Sequence, residues 1–92
     1  MVDKNIIAQS IEHYGVENQS TVCMEELAEL IQAISKEKRG KHSMMHLTEE
    51  IADVEICIEM LKQMYGVQEH AVNAWIRKKQ EREVKRMMDG TA

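Results

Sequence analysis

Residues 44–65 read MMHLTEEIADVEICIEMLKQMY, with no Gly or Pro to interrupt them. At about 100° per residue, Leu47, Ile51, Val54, Ile58, Leu61 and Tyr65 fall on one face, and Cys57, Met60 and Met64 widen it on one side. That is the periodicity of a core-packed helix, whereas a half-buried strand would alternate every second residue. Gly66 closes the segment, and glycines divide the rest of the chain in the same way. Gly15 ends a first helix expected over about Asp3 to Tyr14, with Ile6, Ile7, Ile11 and Tyr14 on its apolar face. Gly40 ends a second, which starts near Asn18 or Ser20 as its cap and runs to about Lys38. A fourth helix is expected from near Gln68 to around Met88, before the Asp89-Gly90 exit.

The whole chain has 92 residues, no Pro and no Phe, and is dominated by helix formers. The β-branched runs and Gly-rich loops of a sandwich, barrel or dinucleotide-binding unit are missing. The expected fold is therefore all-α, a four-helix bundle of antiparallel helices with short turns, in one domain covering residues 1–92. Twelve basic against 16 acidic residues leave a net charge of −4, which disfavours nucleic acid and anionic membrane surfaces as partners. Cys23 and Cys57 form no C-x-x-C pair and read as buried small apolar residues. With no secretory signal and no membrane-length apolar run, a soluble cytoplasmic protein is expected.

The acidic residues do not all lie where solvent would put them. In the second helix, Cys23, Leu27, Leu30, Ile31 and Ile34 define the apolar stripe, and Glu25 falls almost opposite it. Glu26 and Glu29 fall on the stripe's flank, three residues apart and hence neighbours. In the third helix Glu50 and Asp53, at the same spacing, sit inside the widened apolar arc, while Glu49, Glu55 and Glu59 point mostly away. A desolvated carboxylate with no partner costs several kcal/mol or takes up a proton. Two such pairs on the inner flanks of consecutive helices call for a shared cation, and hard ions such as Mg²⁺ or Mn²⁺ accept several carboxylate oxygens.

Glu25-Glu26-Leu27-Ala28-Glu29 and Glu49-Glu50-Ile51-Ala52-Asp53 form an EExxE motif followed, nineteen residues later, by EExxD. This pattern, over nearly the whole chain, resembles the MazG-type all-α nucleoside triphosphate pyrophosphohydrolases, above all the small stand-alone proteins of bacteria and their phages. The resemblance implies a four-helix MazG-like fold and Glu26, Glu29, Glu50 and Asp53 as Mg²⁺ ligands and catalytic carboxylates, with Glu25 and Glu49 in support. It also implies hydrolysis of a nucleoside triphosphate between the α and β phosphates, giving the monophosphate and pyrophosphate. The ion would neutralise phosphate oxygens and acidify a bound water.

A triphosphate also needs cations from the protein. Trp75, Lys79, Arg82 and Arg86 form one stripe on the fourth helix, bordered by Val72 and Ile76, so Lys79 and Arg82 are candidate phosphate ligands. Lys36, Lys38 and Arg39 form a second set at the end of the acidic helix. Asn18, Gln19 and Trp75 are candidates for contact with a base, although capping is the plainer explanation for Asn18 and a lone Trp in a small domain is more often packing. His46 lies one turn before Glu50, in a first turn expected to face solvent. Glu-x-x-His, the signature of di-iron bundles, does not occur. A small chain with a broad apolar arc on its third helix is expected to form a homodimer or homotetramer, with each site completed near a subunit interface. The alternative to an enzyme is a non-catalytic helical interaction module built on the same fold.

Overall fold

The computed structural model describes residues 1–90, and these are helical throughout apart from short connections, with no strand among them. In chain order the helices are α1 (Lys4–Tyr14), α2 (Val16–Lys38), α3 (Met44–Tyr65) and α4 (Glu69–Met88). Asp3 caps α1 by accepting from the amides of Asn5 and Ile6, and Ser43 caps α3 by accepting from His46 N. Gly66 ends α3 in the left-handed conformation.

The start of α2 differs from the sequence reading. Gly15, at φ 89° and ψ 155°, occupies a region open essentially to glycine alone, so the chain reverses in one residue and α2 begins at Val16. No side chain caps it. Asn18 lies inside the helix and donates from Nδ2 to the Tyr14 carbonyl at 2.9 Å. The backbone freedom of a single glycine replaces the cap that the polar residues suggested.

α2 and α3 run antiparallel, as their side-chain contacts show. Ser20 bonds Tyr65, Cys23 lies 3.8 Å from Met60 Sδ and from the Cys57 carbonyl, and Glu26 meets Asp53. α1 lies across one end of this pair, where Ile7 joins Cys23, Cys57 and Met60 in the core. Gln19 is buried there and donates to Ser10 Oγ at 2.7 Å, tying α2 to α1.

The core settles on the widening side of the α3 arc. Cys57 and Met60 are buried, whereas Ile51, Ile58 and Tyr65 from the main stripe remain 46%, 43% and 60% exposed. α2 behaves likewise: Cys23 is buried while Ile31 and Ile34 are exposed. A wheel shows which residues are apolar, and in this chain only half of that arc finds a cover.

α4 stands apart. It has no buried residue and no packing against another helix comparable to that among α1, α2 and α3. Its tie to the body is an ion pair at its base, Lys62 Nζ to Glu69 Oε2 at 2.6 Å. Val72 is only half-buried and Ile76 is exposed, so the stripe of Trp75, Lys79, Arg82 and Arg86 borders no core in this chain. The radius of gyration, 16.3 Å, records this departure. A compact domain of this length would have about 12 Å. No helix among the described residues is long and apolar enough to cross a membrane.

Candidate metal centre

The antiparallel register that packs Cys23 against Cys57 also determines what meets beyond them. One turn further along α2 comes Glu26, and one turn earlier on α3 comes Asp53; a further step on each brings Glu29 and Glu50. Oxygens of Glu26, Glu29 and Glu50 lie within 4.8 Å of one another, and so do those of Glu49, Glu50 and Asp53. The four acids expected from the sequence thus converge, and Glu50 belongs to both groups.

Their surroundings differ in depth. Glu50 is buried, at 4% exposure, Glu26 and Asp53 are half-buried, and Glu29 and Glu49 are at the surface. Glu26 Oε2 and Glu50 Oε2 are buried without a hydrogen-bond partner. Burial, helped by a proton shared with Asp53 and by the charges of Asp53, Glu29 and Glu50, pushes the Glu26 carboxyl up to about 7. The Glu50 carboxyl is also raised, first by burial and then by Glu29, with His46 opposing. The Cys57 thiol, beneath the acids, is pushed up to about 12 by burial, by Cys23 and by Glu26 and Asp53, so it offers no thiolate near neutral pH.

Only oxygen donors and one imidazole are therefore available, a set that suits a hard divalent cation better than a soft one. Two buried carboxylate oxygens without donors, in a cluster whose members raise one another's pKa, are what a cation would satisfy. The residues present fit Mg²⁺ or Mn²⁺ on that ground.

Two contributors differ from the sequence reading. Glu49, expected to turn away, supplies an oxygen to the second group because it lies one turn before Asp53. His46, expected to face solvent, is half-buried with Nδ1 3.8 Å from Glu50 Oε1. The i, i+4 spacing was the available signal in both cases. Glu25 takes no part in either group and instead lines a hollow of about 500 Å³ with Tyr14, Asn18, Gln19, Thr21 and Val22.

The expected cations and base contacts are mostly elsewhere. Lys79 and Arg82 are exposed on the unpacked α4, and the fold does not bring them to the acids. Arg39 turns back to donate from Nε to the Ser35 carbonyl at 3.3 Å. Lys36 is exposed, seven residues beyond Glu29 and hence about 10 Å along the same helix. Gln19 is engaged by Ser10, which leaves Asn18 as the more accessible amide of that pair. Trp75 is exposed and carries the Lys78 ammonium 5.1 Å above its ring.

No protein family, curated protein or solved structure that we compared with this chain matches it.

Proposed function

We propose that this chain is a Mg²⁺-dependent nucleoside triphosphate pyrophosphohydrolase, with Mn²⁺ as a substitute ion, serving nucleotide-pool control or house-cleaning. The observation that carries the reading is Glu50: a buried carboxylate with an unpartnered oxygen, shared between two groups of acids from facing helices. The EExxE and EExxD motifs and their resemblance to MazG-type enzymes supply the reaction class. Hydrolysis occurs between the α and β phosphates of a deoxynucleoside or non-canonical triphosphate.

In this reading Glu26, Glu29, Glu50 and Asp53 hold the ion, with Glu49 alongside. Bound Mg²⁺ supplies neutralisation of phosphate charge and a water of lowered pKa. The Glu26 carboxyl, pushed up to about 7 by burial and its acidic neighbours, marks the charge that a bound cation would relieve. Glu50, in the least accessible position, anchors the cluster, and the surface acids Glu29 and Glu49 face the approaching phosphates. The hollow beside Asn18 and Val22 begins one helical turn from Glu26, a position suited to the nucleoside end of the substrate. Lys36 is the nearest of the expected phosphate-binding cations on the acidic helix itself; Lys79 and Arg82 would have to arrive with a second copy of the chain. Assembly as a homodimer or homotetramer belongs to the same reading.

The test is pyrophosphate release from a panel of canonical and modified nucleoside triphosphates with Mg²⁺. Single changes of Glu26, Glu29, Glu50 or Asp53 to Ala should abolish turnover while the helical circular dichroism persists. Turnover surviving in all four variants would refute the assignment.

A further inference from the structure

The two oxygens of Glu50 sit in different settings. Oε2 is buried without a hydrogen-bond partner, on a residue only 4% exposed that belongs to both groups of acids. Oε1 has a neighbour, because His46 Nδ1 lies 3.8 Å away, one helical turn earlier on α3. The charged groups that face Glu50 are Glu26 and Glu29 from α2 and Glu49 and Asp53 from α3, all acidic, and His46 alone acts against them.

Local structure puts the imidazole there. Ser43 caps α3 by accepting from the His46 amide at 3.3 Å, so His46 enters the helix with its backbone held. Glu50 follows four residues later, and that spacing brings the two side chains to the same flank. The ring is 43% exposed and the Glu50 side chain 6%, so an imidazole at the mouth of the cluster lies over a carboxylate at its floor.

A carboxylate that gives one oxygen to a cation is held in place when a donor occupies the other. The bond stops the group from rotating and keeps the remaining lone pairs aimed at the ion. Imidazole can supply an N–H while uncharged. Lysine and arginine donate only with a positive charge, which would compete with the cation for the same acids. Histidine is therefore the donor that suits a site which has to stay negative.

We propose that His46 is a positioning residue for Glu50, donating from Nδ1 to Oε1 and leaving Oε2 to a bound divalent ion. The inference rests on the cation reading given above and adds to it a residue outside the EExxE and EExxD motifs. The ring has to approach by about 1 Å to make that bond, and its exposed edge leaves it room to move.

Mn²⁺ binding, read from the loss of the free-ion electron paramagnetic resonance signal, tests this without turnover, and competition gives Mg²⁺ at the same fixed pH. H46A should weaken both ions about 10–100-fold, the usual cost of losing an outer partner of a ligand. H46N, whose amide nitrogen stands in for Nδ1, should stay close to wild type. H46K should bind no better than H46A.

If the wild-type chain binds Mn²⁺ and H46A binds it equally well, the proposal is overturned while the cation reading stands. An H46N as weak as H46A overturns it too, as does an H46K as strong as wild type. Loss of Mn²⁺ affinity with Mg²⁺ unaffected would make the imidazole itself a ligand, which also overturns a positioning role. No binding of millimolar Mn²⁺ by the wild-type chain overturns both readings. Should H46A lose its helical circular dichroism, the comparison of H46N with H46K decides.

Discussion

Two layers of the same helix pair, one turn apart, solve burial in opposite ways. At one layer Cys23, Cys57 and Met60 meet, all at most 5% exposed, and their weakly polar sulfurs find one another and a backbone carbonyl. At the next, Glu26, Glu29, Glu50 and Asp53 meet in the same register with no donor for two buried oxygens. The backbone geometry is shared, so the difference lies in side-chain chemistry alone. The sulfur layer is complete within one chain. The carboxylate layer is complete only with protons or a cation, and its raised pKa values express that shortage.

The sharpest way to break this contrast is to truncate one residue in each layer. Glu50→Ala should lower turnover by more than about 100-fold, beyond the usual cost of losing an outer partner of a metal ligand, with the fold intact. Met60→Ala should do the reverse. It should cost about 2–5 kcal/mol of stability by opening a cavity, with turnover per folded molecule retained. Denaturant midpoints and pyrophosphate release on both variants measure the two effects. Loss of stability without loss of turnover at Glu50 would make the carboxylate layer an ordinary piece of core.

Divalent ions should distinguish the layers next. Ligand that binds only the folded state stabilises by RT ln(1 + [L]/Kd), about 1.4 kcal/mol at ten times Kd. For a domain this small that raises the melting temperature by roughly 5–10 °C. Millimolar Mg²⁺ or Mn²⁺ should do so for the wild-type chain and for Met60→Ala, and should leave Glu50→Ala unmoved.

The pH response follows from the direction of the shifts. Glu26 and Glu50 have folded-state pKa values above their ordinary 4.5, so the folded chain holds their protons more tightly than the unfolded chain does. The stability they contribute without ion is fully present below about 4.5 and is lost as pH rises towards 7, where Glu26 ionises. Glu37 and Glu69, lowered by His42 and Lys62, run the other way and lose their contribution only as pH falls below the ordinary carboxylate range. Between pH 4.5 and 7 the acid layer therefore sets the slope, and ion-free melting temperatures should decline across that window. Added Mg²⁺ should flatten or reverse the decline, because it binds the ionised carboxylates.

Helix number and most helix limits were legible because Gly15, Gly40 and Gly66 punctuate otherwise uninterrupted helix formers. The convergence of Glu26, Glu29, Glu50 and Asp53 was legible because i, i+3 pairs on apolar flanks leave few other places to point. Three things were not. Periodicity shows an apolar stripe but not whether its cover comes from the same chain, so the main stripe of α3 was assigned to a core that one chain does not provide. The same blindness put the α4 basic stripe beside a core it never reaches. Finally, Glu49 sits about 20° beyond Met60 at the edge of the wheel's arc, where a small error in direction decides between solvent and site, whereas His46 lies inside the arc in line with Met64 and only its place in the first turn of α3 pointed to solvent.

The finest test keeps the shape of the carboxylate layer and removes one charge. Glu26→Gln preserves side-chain length, replaces a carboxyl that ionises near 7, and offers amide hydrogens to Asp53 and Glu29. Above pH 7 the wild-type layer carries its full repulsion, so without ion the variant should melt a few degrees higher than wild type. Below about pH 5, where wild-type Glu26 is already protonated, the two should melt together. Addition of Mg²⁺ should then invert the order, raising wild type past the variant. A layer built only for packing would give the first result without the inversion, whereas a layer built to bind a cation must give both.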